Sequence, residues 1–218
     1  MLRRLFLVGF LVTVTVVVAL AVGVDIAARV IAEHQLASRA KSSTSSQSSS
    51  ASISSFPFLY DVLVDGTVRN VTVHLSGVPI GLLTVDHLDV SAHGVDLDKG
   101  QLFGHRKARV TAISSATAAI TLTASDITSA THVAVTISGN TVTASVAGVN
   151  IPVSVTVTNS HFLTFDFGGR PIGSFDLAKS PLVPPCAMRL TSQQSSLHLS
   201  CTIAPVPASL IAALSSHS

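Results

Sequence analysis

The stretch THVAVTISGNTVTASVAGVNIPVSVTVT, residues 131–158, decides the fold. Val133, Val135 and Ile137 fall on one face, then Val142, Ala144 and Val146, then Ile151, Val153, Val155 and Val157, with Thr, Ser or Ala between them in nearly every case. A period of two sets alternate side chains on opposite faces of a pleated sheet, and β-branched residues suit that surface. Gly139-Asn140 is a two-residue hairpin signal, and Gly148-Val149-Asn150 is a looser turn. The pattern predicts an antiparallel meander with one wet and one dry face, so function turns on what the dry face covers.

The same alternation recurs on both sides of this stretch. Val71, Val73 and Leu75, then Leu88, Val90 and Ala92, then Ala118, Ile120 and Leu122 extend the sheet toward the N-terminus; Leu163, Phe165 and Phe167, then Leu197, Leu199, Cys201 and Ile203, extend it the other way. Residues 123–130 break the pattern and predict a short helix or turn with Ser125 or Asp126 as its cap, and residues 208–214 predict one or two closing helical turns. The class is mainly β with some helix.

Ahead of the sheet, Arg3 and Arg4 precede an uncharged run from Leu5 to Val24. Twenty residues at about 1.5 Å each match a hydrocarbon core of about 30 Å. The basic flank predicts a cytoplasmic N-terminus, with everything after Val24 outside. The run is read as a signal anchor; Ala19-Leu20-Ala21 also satisfies the small-x-small rule for a cleaved signal, and its length favours the anchor. Residues 25–41 read as an amphipathic helix with Asp25 as N-cap, either continuing the membrane helix as a stalk or packing on the sheet; packing is preferred. Residues 42–55 are almost all Ser and Thr and read as a flexible linker. Residues 56–218 are left as one β-rich domain.

Charged residues make up 11% of the 218-residue chain and the net charge is +2. The wet face is therefore built of hydroxyls, and nothing resembles the clustered basic surface that nucleic acid requires. The nine His form no H-x-H, H-E-x-x-H or Cys/His zinc spacing, and there is no nucleophile elbow, P-loop or G-x-G-x-x-G. Asp86, Asp89, Asp96 and Asp98 could in principle pair as glycosidase carboxylates; beside Gly94 and Gly100 they are read as turn residues. No catalytic residue, metal site or cofactor is expected. Cys186 and Cys201, the only cysteines, lie on the outer side by the orientation argument and are expected to form a disulfide. The cluster Gly104-His105-Arg106-Lys107-Ala108-Arg109 is either a solvated loop or a contact for anionic lipid headgroups through Arg106, Lys107 and Arg109.

Several of these features occur together in one known family. The N-terminal membrane segment, a helix bearing Ala32-Glu33 and Leu36-Ala37, the Phe56-Pro57-Phe58-Leu59 element followed by Gly66, the Val-rich strands and the Leu122-Thr123-Ala124-Ser125-Asp126-Ile127 stretch resemble the LmeA-like family of actinobacterial envelope proteins. The resemblance implies a phospholipid-binding protein outside the plasma membrane, a fold like that of tubular lipid-binding proteins, and a role in lipoglycan maturation. The expectation is an elongated, curled sheet whose dry face, covered by the helix, forms an apolar groove for acyl chains. Phe56, Phe58 and Leu59 would line one end, and Val133, Val135, Val153, Val155 and Phe165 the wall. The lipid partner would be a phospholipid, with an anionic one such as phosphatidylinositol among the candidates. A structural or protein-binding envelope module with a closed core would show the same alternation.

Overall fold

The computed structural model describes residues 2–98, 109–177, 183 and 185–216, with side chains described from Thr15 to Ala212. Its first element is one unbroken helix, α1 (Leu2–Thr44), where the sequence pointed to two segments parted at Asp25. Asp25 is therefore not an N-cap. Thr15–Thr44 is long and apolar enough to cross a membrane by length and composition. Beyond Val24 one stripe of α1 is covered: Asp25, Ala28, Ala32, Leu36 and Ala40 recur every three or four residues and are buried or half-buried. The helix packs on the sheet and is not a free stalk.

The Ser-rich stretch corrects the linker expectation. Residues 48–53 form β1 (Ser48–Ile53), paired antiparallel to β2 (Thr67–Ile80) from Ser48 opposite Ser76 to Ile53 opposite Val71. Composition alone gives these serines little reason to order. Neighbours do: Ser49, Ala51 and Ile53 turn toward α1, the Ser49 hydroxyl donates to the Ala37 carbonyl at 2.9 Å, and the Ile53 N–H donates to Glu33 Oε1 at 2.7 Å.

Between β1 and β2 the chain makes a short helix, α2 (Phe58–Tyr60), continued as a π-helical turn (Asp61–Asp65). Gly66 ends it in the left-handed conformation, at φ 71°, and its carbonyl accepts from the Leu97 N–H at 2.7 Å. The long strands β2, β3 (Leu83–Leu97) and β4 (Val110–Thr123) follow as antiparallel neighbours. Asp86, Asp89 and Asp96 sit within β3, so the turn assignment for them is corrected; Asp89 bonds His74 at 2.6 Å and Asp86 bonds His87 at 2.9 Å.

Helix α3 (Ala124–Thr131) then begins with a capping box, in which the Thr123 hydroxyl accepts from the Asp126 N–H and the Asp126 carboxylate from the Thr123 N–H. The cap is thus Thr123, with Asp126 as its reciprocal partner. Next come β5 (Ala134–Ser138), β6 (Thr141–Val146), β7 (Val149–Thr158), β8 (Phe162–Phe167) and β9 (Arg170–Asp176), a second antiparallel sheet in simple order. Gly139-Asn140 makes the β5–β6 turn. The chain returns to the first sheet as β10 (Arg189–Gln193) and β11 (Ser196–Ile203) and closes with α4 (Ala208–Ser216). The first sheet has the order β1-β2-β3-β4-β11-β10.

The architecture is thus two open antiparallel sheets rather than one curled sheet. The second covers part of the first: Leu75, Leu88, Ile120, Leu122, Leu197 and Leu199 of the first sheet share one core with Val135, Ile137, Val142, Ala144, Val153, Leu163, Phe165 and Phe175 of the second. The tips are tied as well, since the Gly139 N–H donates to the Gln194 carbonyl at 2.8 Å and the Ser192 hydroxyl to the Gly139 carbonyl. Cys186 and Cys201 form a disulfide, with Cα atoms 5.8 Å apart.

Candidate functional site

The inner face of the first sheet can be read as rows crossing the strands in register. The row far from α2 is Leu75, Leu88, Ile120 and Leu199, all essentially sealed at 1% exposure or less. One step nearer α2 lie Val73, Val90, Ala118 and Cys201, of which Val90 is half-buried. The next step is Ile53, Val71, Ala92, Ala116 and Ile203. There the cover thins: Ile53 is buried, while Val71, Ala92, Ala116 and Ile203 are all half-buried.

This row runs between two separate cores. On one side is the core shared by the two sheets; on the other is a smaller cluster of Ile53, Phe58, Val62, Val68 and Val95, on whose edge Val71 and Ala92 of the row pack together with Ala28 and Ala32 of α1 and Leu59. Five strands at about 4.8 Å spacing make the row about 19 Å long. One leaflet's acyl chains span about 15 Å, half of a hydrocarbon core of about 30 Å. The floor is made of short side chains in its middle, Ala92 and Ala116, flanked by Val71 and Ile203. Backbone polar groups there are paired within the sheet, so an apolar ligand would meet only carbon.

The residues expected to line a groove fall into two groups. Val135, Val153 and Phe165 are buried in the main core, with Val133 and Val155 half-buried against it. Phe58 and Leu59 belong to the small cluster beside α1, and Phe56 is 61% exposed. The two groups belong to different cores. Arg109 is exposed, and its carbonyl accepts from the Asp98 N–H at 2.9 Å. Arg106 and Lys107 lie outside the described residues.

Two acids hold α1 to the rest of the chain. The Asp25 carboxylate is only 5% exposed and accepts from the Phe58 N–H at 3.0 Å and from the Leu59 N–H at 2.6 Å. These are orphan donors of α2's first turn, which Pro57 at its N-cap cannot satisfy with a side chain. Glu33 binds both the Ile53 N–H and Arg29, whose Nε lies 3.0 Å away. Asp61, buried in the π-helical turn, pairs with Arg69 at 3.3 Å. A depression at the far end of the sheet is lined by the polar residues Gln193, Gln194, Ser195, Ser196 and His198. Among the described residues no group of three or more His, Cys, Asp or Glu is placed to hold a metal.

The chain is thus of the α+β class, with two antiparallel sheets, an apolar N-terminal helix and a half-buried apolar row between two cores. The chain belongs to the LmeA-like phospholipid-binding family, whose model matches residues 23–216. No curated protein and no solved structure matches it.

Proposed function

We propose that this protein is anchored by α1 with its domain outside the plasma membrane, where it holds or transfers a phospholipid in an apolar trough and supports lipoglycan maturation of the envelope. Family membership supports a lipid-binding role. The observation that carries the trough is the half-buried row Val71, Ala92, Ala116 and Ile203 between two cores. Each buried methylene contributes about 0.8 kcal/mol, so part of one acyl chain lying along the row gives useful affinity. The headgroup stays at the mouth, and the basic residues proposed to meet an anionic group such as that of phosphatidylinositol are Arg106, Lys107 and Arg109. The Cys186–Cys201 disulfide and the apolar α1 support an extracytoplasmic domain. The chemistry asked of the site is binding, not bond-making.

Native mass spectrometry of the full chain released from a membrane-mimetic carrier tests this. The expected spectrum carries a phospholipid adduct that Ala92→Phe or Ala116→Phe removes, because a ring placed on the floor fills the trough. An intact, folded wild-type chain that carries no phospholipid after exposure to mixed phospholipid vesicles would favour a structural or protein-binding envelope module instead.

A further inference from the structure

The end of the domain next to α1 exposes an apolar surface that neither core uses. Phe56 and Val64 are more than half exposed, as is Tyr60, and Leu63 is 42% exposed. Phe56 precedes α2 by two residues and the other three lie in α2 and the π-helical turn, where Phe58 and Val62 are buried in the small cluster. On α1 itself Ile26, Val30 and Ile31 are exposed as well, so the helix stays apolar on its outer side past the point where the uncharged run ends. Seven large hydrophobic side chains at one end of a domain exceed the scattered exposure normal for a soluble surface.

Position says what covers them. The uncharged run of α1 ends at Val24, and the next residue, Asp25, receives the Phe58 and Leu59 N–H groups. The α2 segment is therefore held beside the helix at the level where the run ends, and cannot drift away from the bilayer that the run occupies. Other chain segments gather at this end too. β2 starts and β3 ends there, the Asp98 N–H donates to the Arg109 carbonyl just before β4, and α4 follows Val206, whose N–H bonds the Ile113 carbonyl near the start of β4. The turn at Gly81-Leu82 marks the opposite end, a strand of 14 residues and about 46 Å away.

We propose that residues 56–64 form a membrane foot. Phe56, Tyr60, Leu63 and Val64 enter the boundary between headgroups and acyl chains of the leaflet from which α1 emerges, with Ile26, Val30 and Ile31 beside them, and Arg69 reaches headgroup level. Tyr60 suits that depth, its ring in the apolar zone and its hydroxyl in the wet one. The consequence for the trough is direct: Val71 lies four residues along β2 from Thr67, about 13 Å, so a lipid reaches the half-buried row from the leaflet without crossing water. The foot rests on α1 crossing the membrane.

The test uses the full chain in phosphatidylcholine–phosphatidylglycerol vesicles, with single Phe56→Cys, Leu63→Cys, Leu82→Cys and Leu20→Cys variants labelled by an environment-sensitive fluorophore, Cys186 and Cys201 remaining paired. Lipids carrying a nitroxide high on the acyl chain quench what they touch. Expected are a blue-shifted emission and strong quenching at positions 56 and 63, no quenching at position 82, and quenching at position 20 from lipids with a deeper nitroxide. Quenching at 20 with water-exposed labels at 56 and 63 overturns the foot while leaving the span intact. An unquenched label at 20 overturns the span, and the foot with it. Leu63→Glu with Val64→Glu, both at exposed positions, should return the label at 56 to an aqueous spectrum; an unchanged spectrum counts against a joint foot.

Discussion

Replacing Asp25 by Ala should loosen the segment of residues 56–65 from α1. In the native chain the buried carboxylate takes the Phe58 N–H at 3.0 Å and the Leu59 N–H at 2.6 Å. A hydrogen bond to a charged group contributes about 1.5–3 kcal/mol, so two give about 3–6 kcal/mol. Removing the carboxylate also relieves the cost of keeping it out of water, which lowers the net loss to about 2–4 kcal/mol. Asp25→Asn keeps the volume and one acceptor oxygen but turns an amide NH₂ toward the second N–H, so at least half of the effect should remain. Because every 1.4 kcal/mol is tenfold, a 3 kcal/mol loss raises local opening by about two orders of magnitude. Hydrogen exchange of residues 56–65 in the full chain, held in lipid nanodiscs, reads this directly, with β6 and β7 as the unaffected internal reference. Exchange in Asp25→Ala within threefold of the native rate would refute the clamp.

Other expected outcomes follow from the same packing. Leu88→Ala, in the sealed row, should cost about 2–5 kcal/mol in thermal or denaturant unfolding, whereas Ala92→Phe, four residues along the same strand, should cost far less and abolish phospholipid retention. Thr123→Ala removes one half of the capping box of α3 and should cost about 1 kcal/mol, measured by the shift in unfolding midpoint. Intact-mass measurement after alkylation should find thiols at Cys186 and Cys201 only on reduction, and breaking the bridge should cost on the order of 3 kcal/mol by the chain-entropy model for a 15-residue separation. A reporter active only in the cytoplasm and fused after Ser218 should stay silent, and activity there would place the domain on the wrong side for the proposed function.

How much of this was legible depended on whether the cause was local. The alternation over 131–158 placed Val135, Ile137, Val142, Ala144 and Val153 on one buried face, and Gly139-Asn140 marked its hairpin, because the period of a strand is written in neighbouring residues. The strand β1 was invisible because its order comes from β2, some 20 residues on, and from Glu33 and Ala37 behind it. Asp25 read as a helix start, since an acid after an apolar run has that local meaning; its partners at Phe58 and Leu59 are set by tertiary structure. The cleanest alternation drew attention to the second sheet, whose dry face is largely spent on the shared core. The half-covered row gave a weaker signal, since Ala92 and Ala116 are small and ordinary in sequence. Periodicity tells which face a residue takes, but not how far the opposing layer extends over it.

Whether a phospholipid's acyl chain lies along the row from Val71 to Ile203 can be read by photocrosslinking. The full chain is incubated with vesicles containing a phospholipid whose acyl chain carries a diazirine, irradiated, digested and mapped by mass spectrometry. Crosslinks should concentrate on Val71, Val90, Ala92, Ala116 and Ile203 and be lost when Ala92→Phe fills the floor. Crosslinks confined to β5–β9, or to the uncharged run of α1 alone, would contradict that placement.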